Sequence, residues 1–223
     1  MRHEKLLMPV KTIKLLCMIA DSLAREITQR ITRGDLRPGQ RLPETRLARQ
    51  LDCSRNSLRE AFRFLVNDGL VTHIPNRGVF VRTLTAEAIS EIYTYRRIVE
   101  CAAVAESDLD SIDFSHLDTI ITEARRAAEH DDWHVVGSLN AQVHLEFVAL
   151  AGVDRLVEDI RPVIAQARIA FLSLAQRNIH EPFISQNAEI IDLLREKRRD
   201  DAVVALRKLL DIAQQHVLDR LDS

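Results

Sequence analysis

Arg55, Arg59 and Arg63 recur at every fourth residue of the stretch SRNSLREAFRFLVNDG, residues 54–69, and that spacing lines three guanidinium groups along one side of an α-helix. Guanidinium forks suit phosphate oxygens and the O6/N7 edge of guanine, and Asn56 suits an adenine edge. The alternative for such a stripe is an ordinary solvated helix face. A second set of polar residues interrupts apolar stripes further along the chain. Arg96 falls among Ile89, Ile92, Val99 and Ala103, and Asn140 and His144 share a face with Val136, Leu139, Val143 and Phe147. Arg168 lies between Ile164 and Phe171, and Asn187 between Phe183 and Ile190. If four such helices surround one cavity, its wall is cationic and rich in hydrogen-bonding groups, which suits a small carboxylate. The competing reading is internal satisfaction: Arg96 paired with a carboxylate such as Glu100, and the amides and imidazole bonded to backbone or buried water.

The elements that must hold these residues are legible from caps and periodicity. Ser54 is a side-chain cap and Asp68-Gly69 a stop, so a helix runs between them with Leu58, Ala61, Phe62 and Leu65 buried. Pro43 to Leu51 forms a shorter preceding helix that brings Arg46 to the DNA backbone. Leu70–Ile74 and Val79–Arg82 read as a two-stranded wing joined by Pro75-Asn76-Arg77-Gly78, with Arg77 at its tip beside Gly78, where it can follow a narrow minor groove. Upstream, a helix over 12–33 buries Leu23, Ile27 and Ile31 and stops at Gly34, with a loose arm before it. Beyond a cap at Thr85 six helices are expected, over 86–107, 114–129, 132–151, 154–177, 183–197 and 200–221, with a break at His180 to Pro182. The fold class is therefore mainly α: an N-terminal winged helix-turn-helix followed by an all-helical bundle.

Charge divides the chain in the same place. Residues 1–83 hold 16 Lys+Arg against 8 Asp+Glu, a balance of +8, and residues 84–223 hold 15 against 25, a balance of −10. A basic unit supplies phosphate attraction, and an acidic one must do something else. Domains are expected at 1–83, for DNA binding, and at 84–223, for effector binding and dimerisation. No apolar run reaches membrane-spanning length, since Leu15–Ala20 is cut off by Asp21, and the start lacks a secretory cleavage site. Cys17, Cys53 and Cys101 are odd in number and far apart, which argues against a disulfide framework or a cysteine zinc site and for a reducing cytoplasm.

Leu36-Arg37-Pro38-Gly39, Leu42, Leu47-Ala48, Ser54-Arg55, Arg59-Glu60-Ala61, Gly69-Leu70-Val71 and Gly78 together resemble the winged helix-turn-helix of the GntR family of bacterial transcription regulators. That resemblance implies DNA contacts from Arg46, Arg55 and Arg59, with Gly78 at the wing tip. Ser57, carried with Asn56 and Arg77 among the DNA-facing candidates, stands where many relatives have proline. Asp52-Cys53 replaces the usual glycine and aliphatic residue. The acidic helical part resembles the FCD ligand-sensing domain of the FadR subfamily, nearer its shorter, VanR-like group. It does so through Tyr93 with Arg96 and Glu100, Asn140 with His144, Ile190-Ile191 and Asp201-Ala202. Many FCD domains hold a divalent ion through an Asp, a His four residues later and two further histidines. Here Asn140 and Asn187 stand where an aspartate and a histidine are expected, and no histidine occupies Leu209 to Ile212, with His216 one turn further on. A metal-free pocket without cofactor is expected, in which Arg96, Asn140, His144, Arg168 and Asn187 bind the effector directly. The resulting expectation is a homodimeric, non-enzymatic regulator, more a repressor than an activator. It binds double-stranded operator DNA and answers to a small carboxylate. The rivals are an enzyme acting on such an acid, with His144 and His216 as acid-base groups, and an architectural DNA-binding protein with an inert bundle.

Overall fold

The computed structural model describes residues 10–172 and 177–221. α1 (Val10–Arg33) leads to β1 (Arg41–Leu42), α2 (Glu44–Gln50), α3 (Arg55–Asn67), β2 (Val71–Ile74) and β3 (Gly78–Val81). Six further helices follow: α4 (Ala86–Ala105), α5 (Ser115–Glu129), α6 (Trp133–Ala149), α7 (Asp154–Phe171), α8 (Arg177–Arg195) and α9 (Arg199–Leu221). The chain is mainly α, a winged helix-turn-helix followed by helices alone. Residues 1–9, most of the expected arm, lie outside the described residues.

α3 forms where its caps require. The Ser54 hydroxyl accepts the Ser57 N–H at 3.0 Å, satisfying one of the donors that every helix start leaves free. Leu58, Ala61, Phe62 and Leu65 are buried on one face, and each large apolar side chain so removed from water stabilises the unit by about 1.5–3 kcal/mol. They pack with Ile27 and Ile31 of α1 and with Val79 and Val81 of the sheet.

The wing differs from expectation in two ways. It is a three-stranded antiparallel sheet in the order β1-β3-β2, because Arg41 and Leu42 pair with Phe80 and Val79. A two-residue strand carries no periodicity of its own, so its partner alone reveals it. In addition, Gly78 opens β3 opposite Ile74 instead of sitting at the tip, leaving Pro75, Asn76 and Arg77 as the apex. In the bundle, α7 ends at Phe171 and α8 already contains His180 and Pro182. The expected break at 180–182 is thus helical, with Pro182 inside α8.

Two large cores result, one of winged-domain residues and one of residues from the six later helices. The segment between β3 and α4 coincides with the expected division at 83/84, but packing crosses it. Ala165 and Ile169 of α7 belong to the winged core, while Ala167 and Phe171 of the same helix belong to the bundle. Gln166 Nε2 donates to the Asp68 carbonyl at 2.9 Å, so α7 grips the C-terminal cap of α3. Gly69 permits this approach: its φ is +67°, and a Cβ there would stand 2.9 Å from Gln166 Nε2 and 2.8 Å from Arg82 Nη1.

Ile169→Ala should therefore destabilise the protein by about 2–5 kcal/mol and, through α7, both cores together. Thermal melts followed by the fluorescence of Trp133, the single tryptophan, report the bundle. A Trp133 transition left unmoved while the far-ultraviolet signal shifts would show that the cores unfold independently.

Candidate functional site

On the winged unit, Arg46, Arg55, Asn56, Arg59 and Arg77 are all exposed. Arg55 and Arg59 converge on one carboxylate: Glu44 Oε2 lies 2.9 Å from Arg59 Nε and 3.6 Å from Arg55 Nη2. Arg63 turns to Glu60 at 2.7 Å. Exposed pairs of this kind are weak and yield to a stronger anion such as phosphate. Arg77 lies over the Phe80 ring at 5.8 Å, which steadies it at the wing apex. Ser57 is the exception among the DNA-facing candidates. It is buried, and its hydroxyl is 2.9 Å from that of Ser54, so it belongs to the cap instead of the outer face. Arg41, overlooked in the sequence because β1 has no pattern, stands beside Gly78, whose added Cβ would lie 3.5 Å from Arg41 Nε.

In the bundle, Arg96, Asn140, His144 and Arg168 line one cavity together with Tyr93, His180 and apolar side chains that include Ile164, Phe171 and Phe183. Asn187 stands behind it and donates through Nδ2 to Asn140 Oδ1 at 2.7 Å. The five polar residues reach this interior from four helices, α4, α6, α7 and α8, whose stripes carry them inward.

Arg96 and His144 are internally satisfied. Glu100, fully buried, accepts from Arg96 Nε at 2.7 Å and from His144 Nδ1 at 2.6 Å. Burial pushes the Glu100 carboxyl up, but Arg96 and then His144 outweigh it and hold Glu100 below the usual carboxylate range. Burial likewise lowers His144 despite Glu100 beside it, leaving a neutral imidazole with its Nδ1 proton toward the carboxylate. Arg96 is raised, since Glu100 more than offsets its burial.

Among the described residues Arg168 has no such partner. It is 3 % exposed, gives Nη2 to the His134 carbonyl at 3.0 Å, and leaves Nε and Nη1 without a hydrogen bond. Burial brings its pKa down to about 10, still charged at neutral pH. Its guanidinium lies across α6 at Gly137, where a Cβ would stand 2.7 Å from Arg168 Cζ. His180 and Tyr93 are also buried, with His180 Nε2 and the Tyr93 hydroxyl lacking partners of good geometry. Burial first, then Arg168 and His134, lower His180 to about 4, and burial raises Tyr93 to about 12. Sequence reasoning missed His180 because Pro182 suggested a break there. Tyr93, one turn before Arg96 on the same face, and Gly137 on the buried face of α6 were the available signals.

These donors do not fit a divalent cation. His144, held through Nδ1 by Glu100, keeps only Nε2 as a donor atom, both Glu100 oxygens are engaged, the neutral amides Asn140 and Asn187 bond to each other, and two guanidinium groups face the same space. Among the described residues no three His, Cys, Asp or Glu side chains are grouped to hold a metal.

Comparison with known proteins bears on both surfaces. Residues 19–81 match the family described as "Bacterial regulatory proteins, gntR family", and residues 91–212 match the FCD domain. A crystal structure of a putative transcriptional regulator GntR from Rhodococcus sp. RHA1 superposes with a TM-score of 0.84 at 36% identity, over 90% of this chain and 97% of that one. The Nta operon transcriptional regulator of Aminobacter aminovorans is 29% identical over 74% of this chain and 78% of its own. The gluconate operon transcriptional repressor of Bacillus subtilis (strain 168) is 22% identical over 88% and 84%.

Because the native state keeps His180 neutral to about pH 4 while an exposed histidine titrates near 6.5, the unfolded chain binds the extra proton first as pH falls. The His180 contribution to stability is therefore complete above about 6.5 and is lost progressively toward 4. Denaturant midpoints across this window should fall less steeply in His180→Gln than in the parent protein. Parallel slopes would place the imidazole in water.

Proposed function

We infer that this chain, which belongs to the GntR family of bacterial regulatory proteins and carries an FCD domain, represses transcription from an operator under the control of a small carboxylate. That it is a GntR-type transcription regulator follows from the family. Repression is supported by relatives named as repressors, such as the gluconate operon protein. The single observation that carries ligand control is the unneutralised guanidinium of Arg168 inside a bundle cavity, since an isolated buried charge is costly unless something pairs with it.

On the DNA side, residues 1–83 serve as the reading unit. Arg55, Asn56 and Arg59 enter the major groove from α3, Arg46 engages the backbone from α2, and Arg77 approaches the minor groove. Duplex phosphates displace Glu44 from Arg55 and Arg59. One such helix reads only a few base pairs, so a homodimer with two half-sites gives useful specificity. Residues 84–223 serve for sensing and dimerisation, with Arg96, Asn140, His144 and Asn187 framing the acid around Arg168.

Coupling runs along α7. The cavity has a volume of about 30 Å³, room for water and too little for an organic acid. Entry therefore requires the α7 wall of the cavity, at Ile164 and Phe171, to retreat around Arg168. That displacement reaches Gln166 and Ile169 on the opposite face of the helix, and through them the cap of α3. A coupling of about 1–3 kcal/mol suffices for regulation. Among the described residues no helix is long and apolar enough to cross a membrane.

With an operator selected from random duplexes by the protein itself, Arg55→Ala and Arg59→Ala should each weaken binding about tenfold or more. Each should also reduce the salt slope by about one, whereas Arg63→Ala, held by Glu60, changes less. Unaltered affinity in both of the first two variants would remove α3 as the reading helix.

A further inference from the structure

We propose that Arg168, His180 and Tyr93 form the anchoring end of the cavity, where the carboxylate of a monoanionic acid is received by Arg168 directly, without a metal ion. This rests on the reading that the bundle senses an acid and deepens it by naming the anchor and the ligand's charge.

The argument begins with charge. Arg96 and Glu100 neutralise each other at 2.7 Å, and Glu100 spends its second oxygen on His144. One uncompensated positive group remains in the cavity, Arg168, with two nitrogens lacking acceptors. A single carboxylate cancels it, whereas a dianion would leave an excess negative charge in a buried site. The second strand is polar complementarity. Tyr93 and His180 line the same cavity and are buried; among the described residues His180 Nε2 has no hydrogen-bond partner, and the Tyr93 hydroxyl meets the Arg96 guanidinium without a well-formed hydrogen bond. Three incompletely satisfied groups, from α4, α7 and α8, are more than a folded interior ordinarily tolerates in one place without a ligand. The third is steric. Gly137 leaves the space that the Arg168 guanidinium occupies, and a methyl group there would lie 2.7 Å from Cζ. The glycine thus permits a fixed cation on the α6 side of the cavity, where His144 is already committed to Glu100.

The test uses the full-length protein with imidazole-labelled histidine in EDTA, titrated with sodium acetate and, separately, with sodium chloride at matched ionic strength. His180→Gln identifies the His180 resonance. Acetate should shift that resonance saturably and raise the His180 pKa, because an anion beside the ring favours its protonated form. In Arg168→Met the same titration should be about 10- to 100-fold weaker, the loss of charge-assisted hydrogen bonds, and Gly137→Ala should act in the same direction. Arg168→Met removes an unpaired buried charge, so its ligand-free melting midpoint should equal or exceed that of the parent protein, and a lost response cannot then be ascribed to misfolding. The proposal is overturned if acetate moves His180 no more than chloride does, if Arg168→Met responds like the parent, or if the response needs added zinc. An acid that alters operator affinity equally in parent and Arg168→Met would sink this anchor while leaving the sensor reading intact. If no acid alters operator affinity, the sensor reading itself fails.

Discussion

The bundle is organised around the difficulty of keeping charge out of water. Glu100, Arg96 and Arg168 are all buried, and each of their side chains would be worth more in solvent than in a hydrocarbon interior. Glu100 is reconciled from two directions, by Arg96 one turn along α4 and by His144 from α6. That arrangement fixes the crossing of these two helices, since a shift of either would strand a carboxylate. Arg168 is reconciled only in part, through one backbone carbonyl at the start of α6. A completed network and an incomplete one thus stand side by side in one interior.

α7 joins the halves because its faces serve different cores. Its residues at 164, 167, 168 and 171 line the cavity, and those at 165, 166 and 169 meet the winged unit. Adjacent positions on a helix point about 100° apart, so a rigid helix cannot adjust one face without carrying the other. The contact on the winged side is a hydrogen bond to the cap of α3 and a few apolar side chains, a small area beside either core. Such an interface has low resistance to a shift while still specifying direction.

Much of this was legible in the sequence. The caps at Ser54 and Thr85, the stop at Gly69, and the buried face of α3 are local chemistry, and local chemistry is what periodicity records. The inward direction of Arg96, Asn140, His144, Arg168 and Asn187 was equally readable, because an apolar stripe defines a side. Which of them was already satisfied was not readable, since Glu100 meets His144 across 44 residues of chain. β1 escaped because two residues have no period, and His180 because a proline inside a helix looks, in sequence, like a helix end. Ser57 looked outward-facing until its hydroxyl was seen beside that of Ser54.

The strand that went unrecognised has a mechanical meaning. β1 enters α2 through Pro43 and is hydrogen-bonded to β3, whose other edge holds β2. The hairpin is thereby tied to the front of the helix pair as well as to the end of α3. α3 and wing consequently form one inflexible gauge, whose parts cannot shift independently of each other. Tolerance to variation in a binding site must then come from outside this unit, as in bending of the DNA itself.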